Sequence, residues 1–263
     1  MALSCFDAPG AERSYATAEI QALCPDAYWL CTSSQVSRDL KDIPRYRIGI
    51  CPPFTSVEER FDGIMPDEAA LRRLIENTTC HLLFSGPISP ESGLLTLLDI
   101  LIAYRDLYNS DITLHIMWES GSVNRAYSDF FQRRIMEYGL QWNVQFVPRL
   151  DLNEEVSYYL GCDMMLHCGE YDCNVRAVAL AQYFKLPILA VNTSSAPETM
   201  GLNQLSFDAD PRRFAAAIHT LRQDGKLARS LGRIGKKNFD ARLSAQGVSD
   251  KLSTELEKGL WEV

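Results

Sequence analysis

The sequence predicts an α/β fold in which helices flank a parallel β-sheet. Short apolar runs typical of buried strands recur from residue 81 to residue 207. Between them lie segments of ten or more residues with apolar side chains three or four positions apart, the spacing of an amphipathic helix. Strands that alternate with such helices are joined by crossovers and pair in parallel. The predicted fold is Rossmann-like, with residues 81–263 as one domain and residues 1–80 as a partial domain or linker.

The amino-terminal segment has fewer predicted elements. Residues 1–20 carry little pattern and are expected to form a loose lead-in. Pro52 and Pro53 end an apolar run, because proline cannot continue a strand ladder. The predicted elements are the strands Ala27–Thr32 and Arg47–Cys51 and the helices 33–42 and Asp67–Asn77.

From residue 81 onward the alternation of strands and helices is regular. Pro211 suits the first turn of a helix, where its missing N–H group is not needed. The predicted strands are His81–Ser85, Thr113–Met117, Asn143–Val147, Met164–Cys168, Ile188–Val191 and Leu205–Phe207. The predicted helices are Gly93–Tyr108, Asn124–Tyr138, Asn153–Leu160, Arg176–Phe184, Pro211–Gln223, Lys226–Phe239 and Val248–Trp261.

The stretch from residue 159 to residue 197 is the expected functional centre. Its two strands are joined by a crossover helix, so the loops that follow them lie at the carboxyl edge of the sheet. The first loop, Gly169–Asn174, carries two carboxylates, and the second, Asn192–Ser195, carries hydroxyl groups. Open α/β sheets bind ligands at this edge, so a ligand site is expected here.

The net charge of −8 argues against a nucleic-acid-binding protein, which needs clustered Lys and Arg to neutralise phosphates. The basic run Gly232–Lys237 and the arginines Arg212, Arg213 and Arg222 are interpreted as solvated helix faces. No signal peptide is recognised, and the longest apolar run, Gly93–Tyr104, is too short to span a bilayer. A cytoplasmic protein without a membrane span is expected.

The eight cysteines are scattered without a C-x-x-C pair and are expected to be free thiols in a reducing compartment. One cluster combines side chains that bind metals, but its intervals match no zinc-ligand spacing. It consists of Cys162, His167, Cys168 and Cys173. Neither a metal nor another cofactor is expected.

Several nucleotide-binding and hydrolase motifs are absent. The loop after the first strand of the regular region reads GPISPESG, which is not the G-x-G-x-x-G of dinucleotide-binding proteins. The chain has no P-loop and no G-x-S-x-G nucleophile elbow. These absences argue against dinucleotide-dependent enzymes, P-loop NTPases and the common α/β hydrolases.

Residues 27–240 resemble the second half of a GT-B glycosyltransferase and are most similar to the retaining family 4 group. The resemblance is carried by FSGPISPESGLLTLLDIL, by LQWNVQFVPRLDLNEEVSYYLGCDMML, by GEYDCNVRAVALAQYFKLPILAVNTSSAPETMG and by FDADPRRFAAAIHTLRQDGKLARSLGRIGKKNF. It implies binding of a nucleotide-diphosphate sugar and transfer of a hexosyl group to a glycan or glycoconjugate acceptor.

The residues that bind the donor in this family are only partly kept. The family's Arg and Lys, which neutralise the diphosphate, fall on Pro87 and Ser92. The first residue of its acidic pair falls on Asp172, two positions after Glu170, and the second falls on Leu180. Leucine accepts no hydrogen bond from a ribose hydroxyl, so this contact is lost.

The resemblance implies Asp172 and Glu170 as the catalytic carboxylates. It implies donor contacts from Gly86, Ser92, Arg149, Arg176, Ser194, Ser195 and Glu198. Arg176 or Arg149 could replace the lost cations, or either could be a solvated arginine. The two carboxylates could also simply form an acidic helix amino-terminus, which is favourable in itself.

Two main functions remain open from the sequence. One is a glycosyltransferase whose missing first domain is supplied by a partner glycosyltransferase chain or by a further amino-terminal domain. The alternative is a non-catalytic scaffold subunit of a glycosyltransferase assembly, favoured by Pro87, Ser92 and Leu180. A sugar-nucleotide epimerase is a third, weaker alternative, because such an enzyme needs acid and base groups in its cleft.

Overall fold

The computed structural model describes residues 2–5, 22–24, 26–53, 55–77, 79–118, 123–147, 151–169, 175–192, 196–201 and 205–261. The chain divides into two compact units. The first unit comprises Met1–Ser56 and Asp240–Val263, and the second comprises Val57–Phe239. The boundary suggested near residue 80 lies inside the second unit, and a separate folding domain from residue 81 onward stays a prediction.

The strands form two sheets in which all neighbours are parallel. The small sheet has the order β1-β2-β3 and the large sheet the order β6-β5-β4-β7-β8-β9. The strands are β1 (Ala2–Cys5), β2 (Tyr28–Cys31), β3 (Ile48–Ile50), β4 (Cys80–Ser85), β5 (Ile112–Met117), β6 (Val144–Val147), β7 (Met164–His167), β8 (Ile188–Val191) and β9 (Leu205–Phe207).

The helices of the described residues alternate with these strands. They are α1 (Ser34–Asp39), α2 (Val57–Phe61), α3 (Glu68–Ile75), α4 (Leu94–Tyr108), α5 (Arg125–Glu137), α6 (Leu152–Gly161), α7 (Val175–Tyr183), α8 (Ala196–Met200), α9 (Pro211–Gln223), α10 (Gly225–Asn238) and α11 (Ala245–Trp261). The mostly parallel sheet flanked by helices confirms the predicted α/β class. In the described part of the chain, no helix is both long and apolar enough to cross a membrane.

The first unit contains one strand that the sequence does not predict. Residues 2–5 belong to the expected loose lead-in, but they form β1, which pairs with β2 from Ala2 opposite Tyr28 to Cys5 opposite Cys31. The segment reads ALSC, in which a serine interrupts the apolar run, and it pairs in parallel with the neighbouring strand. The lead-in prediction is therefore wrong for these four residues.

The carboxyl-terminal helix α11 is attached to the small sheet through the buried Glu255. The Tyr28 hydroxyl in β2 donates to Glu255 Oε2 over 3.1 Å. The ammonium groups of Lys251 and Lys258 lie 2.5 Å and 3.0 Å from Glu255 Oε1. A β-carbon at Gly49 in β3 would lie 2.5 Å from the Glu255 carboxylate, so the small residue makes room for it. Both chain ends thus contribute to the first unit.

The large sheet is buried on both faces, as its continuous apolar strands predict. One face packs against α4 and α9, where Leu97, Phe214 and Ile218 are fully buried. On the other face, Tyr158 of α6 packs its ring edge-on against His115 of β5. The chain runs outward from β4 in both directions, so a switch point lies between β4 and β7.

Three helices are capped at their amino ends by the side chain of the preceding residue. Asp67, Asn124 and Asp151 each accept a hydrogen bond from the backbone N–H three residues later, which caps α3, α5 and α6. The short helices α2 and α8 were not predicted, because five residues hold too few apolar positions to show a period.

Candidate functional site

The loop after β4 touches the end of β7 at the switch point. Gly93, just before α4, has a φ of 72°, a left-handed conformation that favours glycine. A β-carbon there would lie 2.0 Å from the carbonyl oxygen of Cys168, the residue after β7. A β-carbon at Gly169 would lie 3.4 Å from the Glu91 carbonyl oxygen. Two backbones this close leave no room for a side chain between them. The loop after β4 is therefore packed directly against the residues that follow β7.

The loop after β4, residues 86–93, which we call the β4 loop, is held in shape by its own polar groups. The Ser92 hydroxyl donates to the Pro87 carbonyl over 2.5 Å and lies 2.9 Å from the Ser89 hydroxyl. Ser92 is completely buried. At the start of the loop, the Gly86 N–H donates to the Met117 carbonyl at the end of β5 over 3.0 Å. The loop is therefore fixed before any ligand arrives.

A second contact fixes the other side of this loop. Ile88 forms a parallel bridge with Val123, and the Asn124 N–H donates to the Ile88 carbonyl over 2.9 Å. Burial, with a smaller contribution from the charge of Glu91, raises the pKa of the Tyr127 phenol on α5. The β4 loop is thus bound to the start of α5 as well as to β7.

Arg176 brings a positive charge close to the end of β4. It is half-buried in the first turn of α7. Burial raises the pKa of the Tyr159 phenol on α6, while the Ser85 hydroxyl and the Arg176 charge act to lower it. The negative charge of Glu155 acts in the same direction as burial. Arg176 is in the first turn of the helix that follows β7, so it lies at the carboxyl edge of the sheet, beyond the strand that neighbours β4.

His167, the last residue of β7, is a buried group that the sequence analysis considered only within a Cys/His cluster whose intervals match no zinc-ligand spacing. Burial lowers its pKa to about 4, so its imidazole is neutral at pH 7. Its Nδ1 has no hydrogen-bond partner among the residues that the structure describes. A neutral imidazole adds no positive charge to the site.

Two other histidines, one on β4 and one on β5, contact each other within the sheet. His81 Nδ1 and His115 Nε2 are 2.9 Å apart in a buried hydrogen bond. Burial lowers the pKa of His115 to about 4, and it also lowers the pKa of His81 against the opposing charge of Asp163. The hydrogen bond between the two rings joins β4 to β5.

The segment after β8 is held by two side-chain amides. Asn238, the last residue of α10, donates through Nδ2 to the Thr199 carbonyl and to Gln182 Oε1, both over 2.9 Å. Gln182 on α7 is completely buried. These bonds fix α8, which carries Glu198. Asn238 and Gln182 have no pattern in the sequence that would reveal this contact.

Residues 68–238, more than half of the chain, match the family model of the glycosyl transferases group 1. The chain belongs to the group 1 glycosyltransferases. Solved structures share the fold of this group 1 glycosyltransferase at low identity. A glycosyltransferase from Rickettsia africae has a TM-score of 0.76 and 14% identity, over 98% of this chain and 70% of that protein. HepE from Anabaena, in complex with UDP and glucose, has a TM-score of 0.76 and 14% identity, over 97% and 71%.

Another relative in structure is sucrose-phosphate synthase from Thermosynechococcus elongatus, with a TM-score of 0.73 and 18% identity. The match covers 98% of this chain and 64% of that enzyme, so the chain spans somewhat less than two thirds of it. No curated protein sequence matches the chain. The family match and these structures confirm the predicted resemblance to GT-B glycosyltransferases.

Two positions that hold donor-binding residues in the group 1 family have other roles in this glycosyltransferase. Ser92 stands where the family has a lysine. Its hydroxyl donates a hydrogen bond to the Pro87 carbonyl within the β4 loop. Leu180, where the family has its second acidic residue, is 2% exposed and belongs to the packed face of α7. Whether Ser92 also contacts a donor stays a prediction.

The described donor-binding candidates of this glycosyltransferase lie at one edge of the sheet. Gly86 and Ser92 follow β4, Arg176 follows β7 and Glu198 follows β8. The others lie outside the described residues, and their roles stay predictions: Glu170, Asp172, Arg149, Ser194 and Ser195. Within the described ranges, no group of three or more His, Cys, Asp or Glu side chains could hold a metal ion.

Proposed function

We propose that this chain binds a nucleotide-diphosphate sugar and transfers its hexosyl group, with retention, to a glycan or glycoconjugate acceptor. The observation that carries the proposal is the backbone contact between Gly93 and Cys168 at the switch point, with Arg176 in the first turn of the helix that follows β7. It lies within the region that matches the family. HepE, which has the same fold, has been solved with UDP and glucose, and this supports a nucleotide-sugar donor.

Each proposed role follows from charge. In the transfer, the bond between the anomeric carbon and the phosphate oxygen would break, and the acceptor oxygen would bond to that carbon on the same face while its proton passes to the departing phosphate oxygen. The departing diphosphate gains negative charge. Arg176 and the N–H groups at the start of α4 would stabilise that charge without a metal. Asp172 and Glu170 would accept hydrogen bonds from the sugar hydroxyls.

The second candidate function is a non-catalytic scaffold subunit in a glycosyltransferase assembly. Its supporting observation is that Ser92 and Leu180 are buried, so neither is available to a ligand without rearrangement. Together with Pro87, this removes three contacts that the family makes with its donor. A scaffold would keep the fold and bind a partner chain instead of a sugar nucleotide.

The test is a calorimetric titration of the full chain with UDP, GDP and their common sugar conjugates. Catalytic donor binding predicts a dissociation constant in the millimolar range or below. Arg176→Gln should weaken it about tenfold, because one charge-assisted contact is lost. Asp172→Ala should weaken the binding of the sugar conjugates more than the binding of the free nucleotides. The matched control is Arg133→Gln, an exposed arginine on α5, which should leave binding unchanged.

If the titrations of a folded sample show no binding, the donor-binding proposal is overturned and the scaffold function is favoured. Where binding is found, incubation with the bound sugar nucleotide and a glycan acceptor tests transfer, read as release of the free nucleotide.

We further propose a cytoplasmic location. The free cysteines Cys24, Cys51, Cys80, Cys162 and Cys168 support it.

A further inference from the structure

The two helices α9 and α10 carry a charge opposite to that of the rest of the chain. Residues 211–238 contain eight Lys and Arg and a single acidic residue, Asp224, for a net charge of +7. Since the whole chain has a net charge of −8, the remaining residues carry −15. A solvated helix face in an acidic protein does not require such a separation of charge.

Four of these cations form a line along α10, which we call the α10 basic stripe: Lys226, Arg229, Arg233 and Lys237. Their spacings of three, four and four residues put them within an arc of about 80° and along about 17 Å of helix. All four are exposed. The stripe therefore forms one continuous positive ridge on the outer side of the helix.

The opposite side of α10 is fixed on the protein. Leu231, Gly232 and Gly235 are buried. A β-carbon at Gly232 would lie 1.9 Å from the Lys185 carbonyl oxygen, and one at Gly235 would lie 3.3 Å from the Gln182 side chain. Because the helix packs this closely, it cannot roll, and the α10 basic stripe keeps facing outward.

Nearby acidic groups do not neutralise the stripe. Asp224 caps α10 and accepts hydrogen bonds from the N–H groups of Lys226 and Leu227, both over 3.0 Å. Asp208 and Asp210 lie 3.6 Å and 3.9 Å from Arg213 of α9. Across the described residues, no salt bridge joins a stripe cation to a carboxylate.

We propose that the α10 basic stripe docks this chain onto an anionic membrane surface. A plane of negative headgroups can contact all four exposed cations of this straight ridge at once. A long polyanion would need clustered cations beyond the stripe, whereas the rest of the chain carries a net charge of −15. Leu227, which is 40% exposed at the start of the stripe, adds an apolar side chain at the interface.

A single-stranded nucleic acid is a poorer fit to the same helices. Such ligands bind through aromatic rings on which bases stack. On α9 the ring of His219 is already stacked on Tyr108 with centroids 3.8 Å apart, and Phe214 is fully buried. The stripe thus offers charge without a stacking platform.

The experiment is co-sedimentation of the full chain with vesicles of phosphatidylcholine, with and without phosphatidylglycerol. Wild-type protein should bind only the anionic vesicles, and ~1 M salt, where the screening length is about 3 Å, should release it. The triple variant Lys226→Glu, Arg229→Glu, Arg233→Glu should bind about a hundredfold more weakly, since each cation near an anionic surface contributes about fivefold.

The matched control reverses three exposed arginines elsewhere in the second unit: Arg73→Glu, Arg125→Glu and Arg133→Glu. It changes the net charge equally and should keep at least most of the binding. A neutral triple variant with Gln at residues 226, 229 and 233 replaces the Glu variant if that one fails to fold. Equal loss in stripe and control variants, no binding by wild type, or tighter binding to duplex DNA than to anionic vesicles would overturn the proposal.

Discussion

A β-carbon on Gly93 would lie 2.0 Å from the carbonyl oxygen of Cys168, so these two residues can meet only as backbone. The contact joins the loop after β4 to the end of β7, where the sheet order reverses and open α/β sheets bind ligands. The geometry of the candidate site therefore depends on Gly93, although this residue has no side chain with which to contact a ligand.

Gly93→Ala should lower the free energy of unfolding by at least ~3 kcal/mol. The left-handed φ and the collision with Cys168 both oppose a side chain there. Urea unfolding measures the change. The control is Gly63→Ala, since Gly63 has a φ of 73° but no atom within 4 Å of its β-carbon, and this variant should lose only about 1 kcal/mol. Equal losses in both variants would mean that the Cys168 contact relaxes easily.

Leu180→Glu restores the residue type that the family has at this position, but it should destabilise the chain by about 4 kcal/mol. Leu180 is 2% exposed, so an ionised or even a neutral carboxyl group would be buried without a partner. Leu180→Met, which keeps the volume and the apolar character, should cost about 1 kcal/mol. Both are measured by urea unfolding. A stable Leu180→Glu variant would show that this side chain can reach the site after all.

The large sheet could be predicted from the sequence because each of its strands is an apolar run bounded by loop residues. β1 could not, because its residues ALSC form no continuous apolar run and the strand is fixed by pairing with β2. At the site, the family resemblance pointed to Ser92 and Leu180 as altered positions. Their burial, and the contact between Gly93 and Cys168, depend on tertiary packing that no local pattern encodes.

Asn238→Ala should lower the free energy of unfolding by about 2 kcal/mol. It removes the donor that serves both the Thr199 carbonyl and Gln182 Oε1, and the buried amide of Gln182 then loses this partner. The control is Gln246→Ala, whose exposed amide bonds to Asp250 over 2.6 Å and should contribute less than about 0.5 kcal/mol. Thermal unfolding compares the two. Similar small losses would mean that water replaces the Asn238 amide.

Glu255→Gln should lower stability by about 2 kcal/mol at pH 7, with a difference from wild type that shrinks in acid. Burial alone would raise the pKa of Glu255, but hydrogen bonds from Lys251, Lys258 and Tyr28 outweigh it, so the pKa is lowered in the folded chain. The unfolded chain then binds the proton more readily, and the carboxylate stabilises the fold at a pH above its unfolded pKa of about 4.3. This contribution is lost as the pH falls through the folded value. Thermal unfolding of both proteins from neutral to acid pH tests this, with the exposed Glu257→Gln as the control that should match wild type throughout. A Glu255→Gln deficit that is the same at neutral and acid pH would show that the charge of Glu255 does not hold α11 to the small sheet.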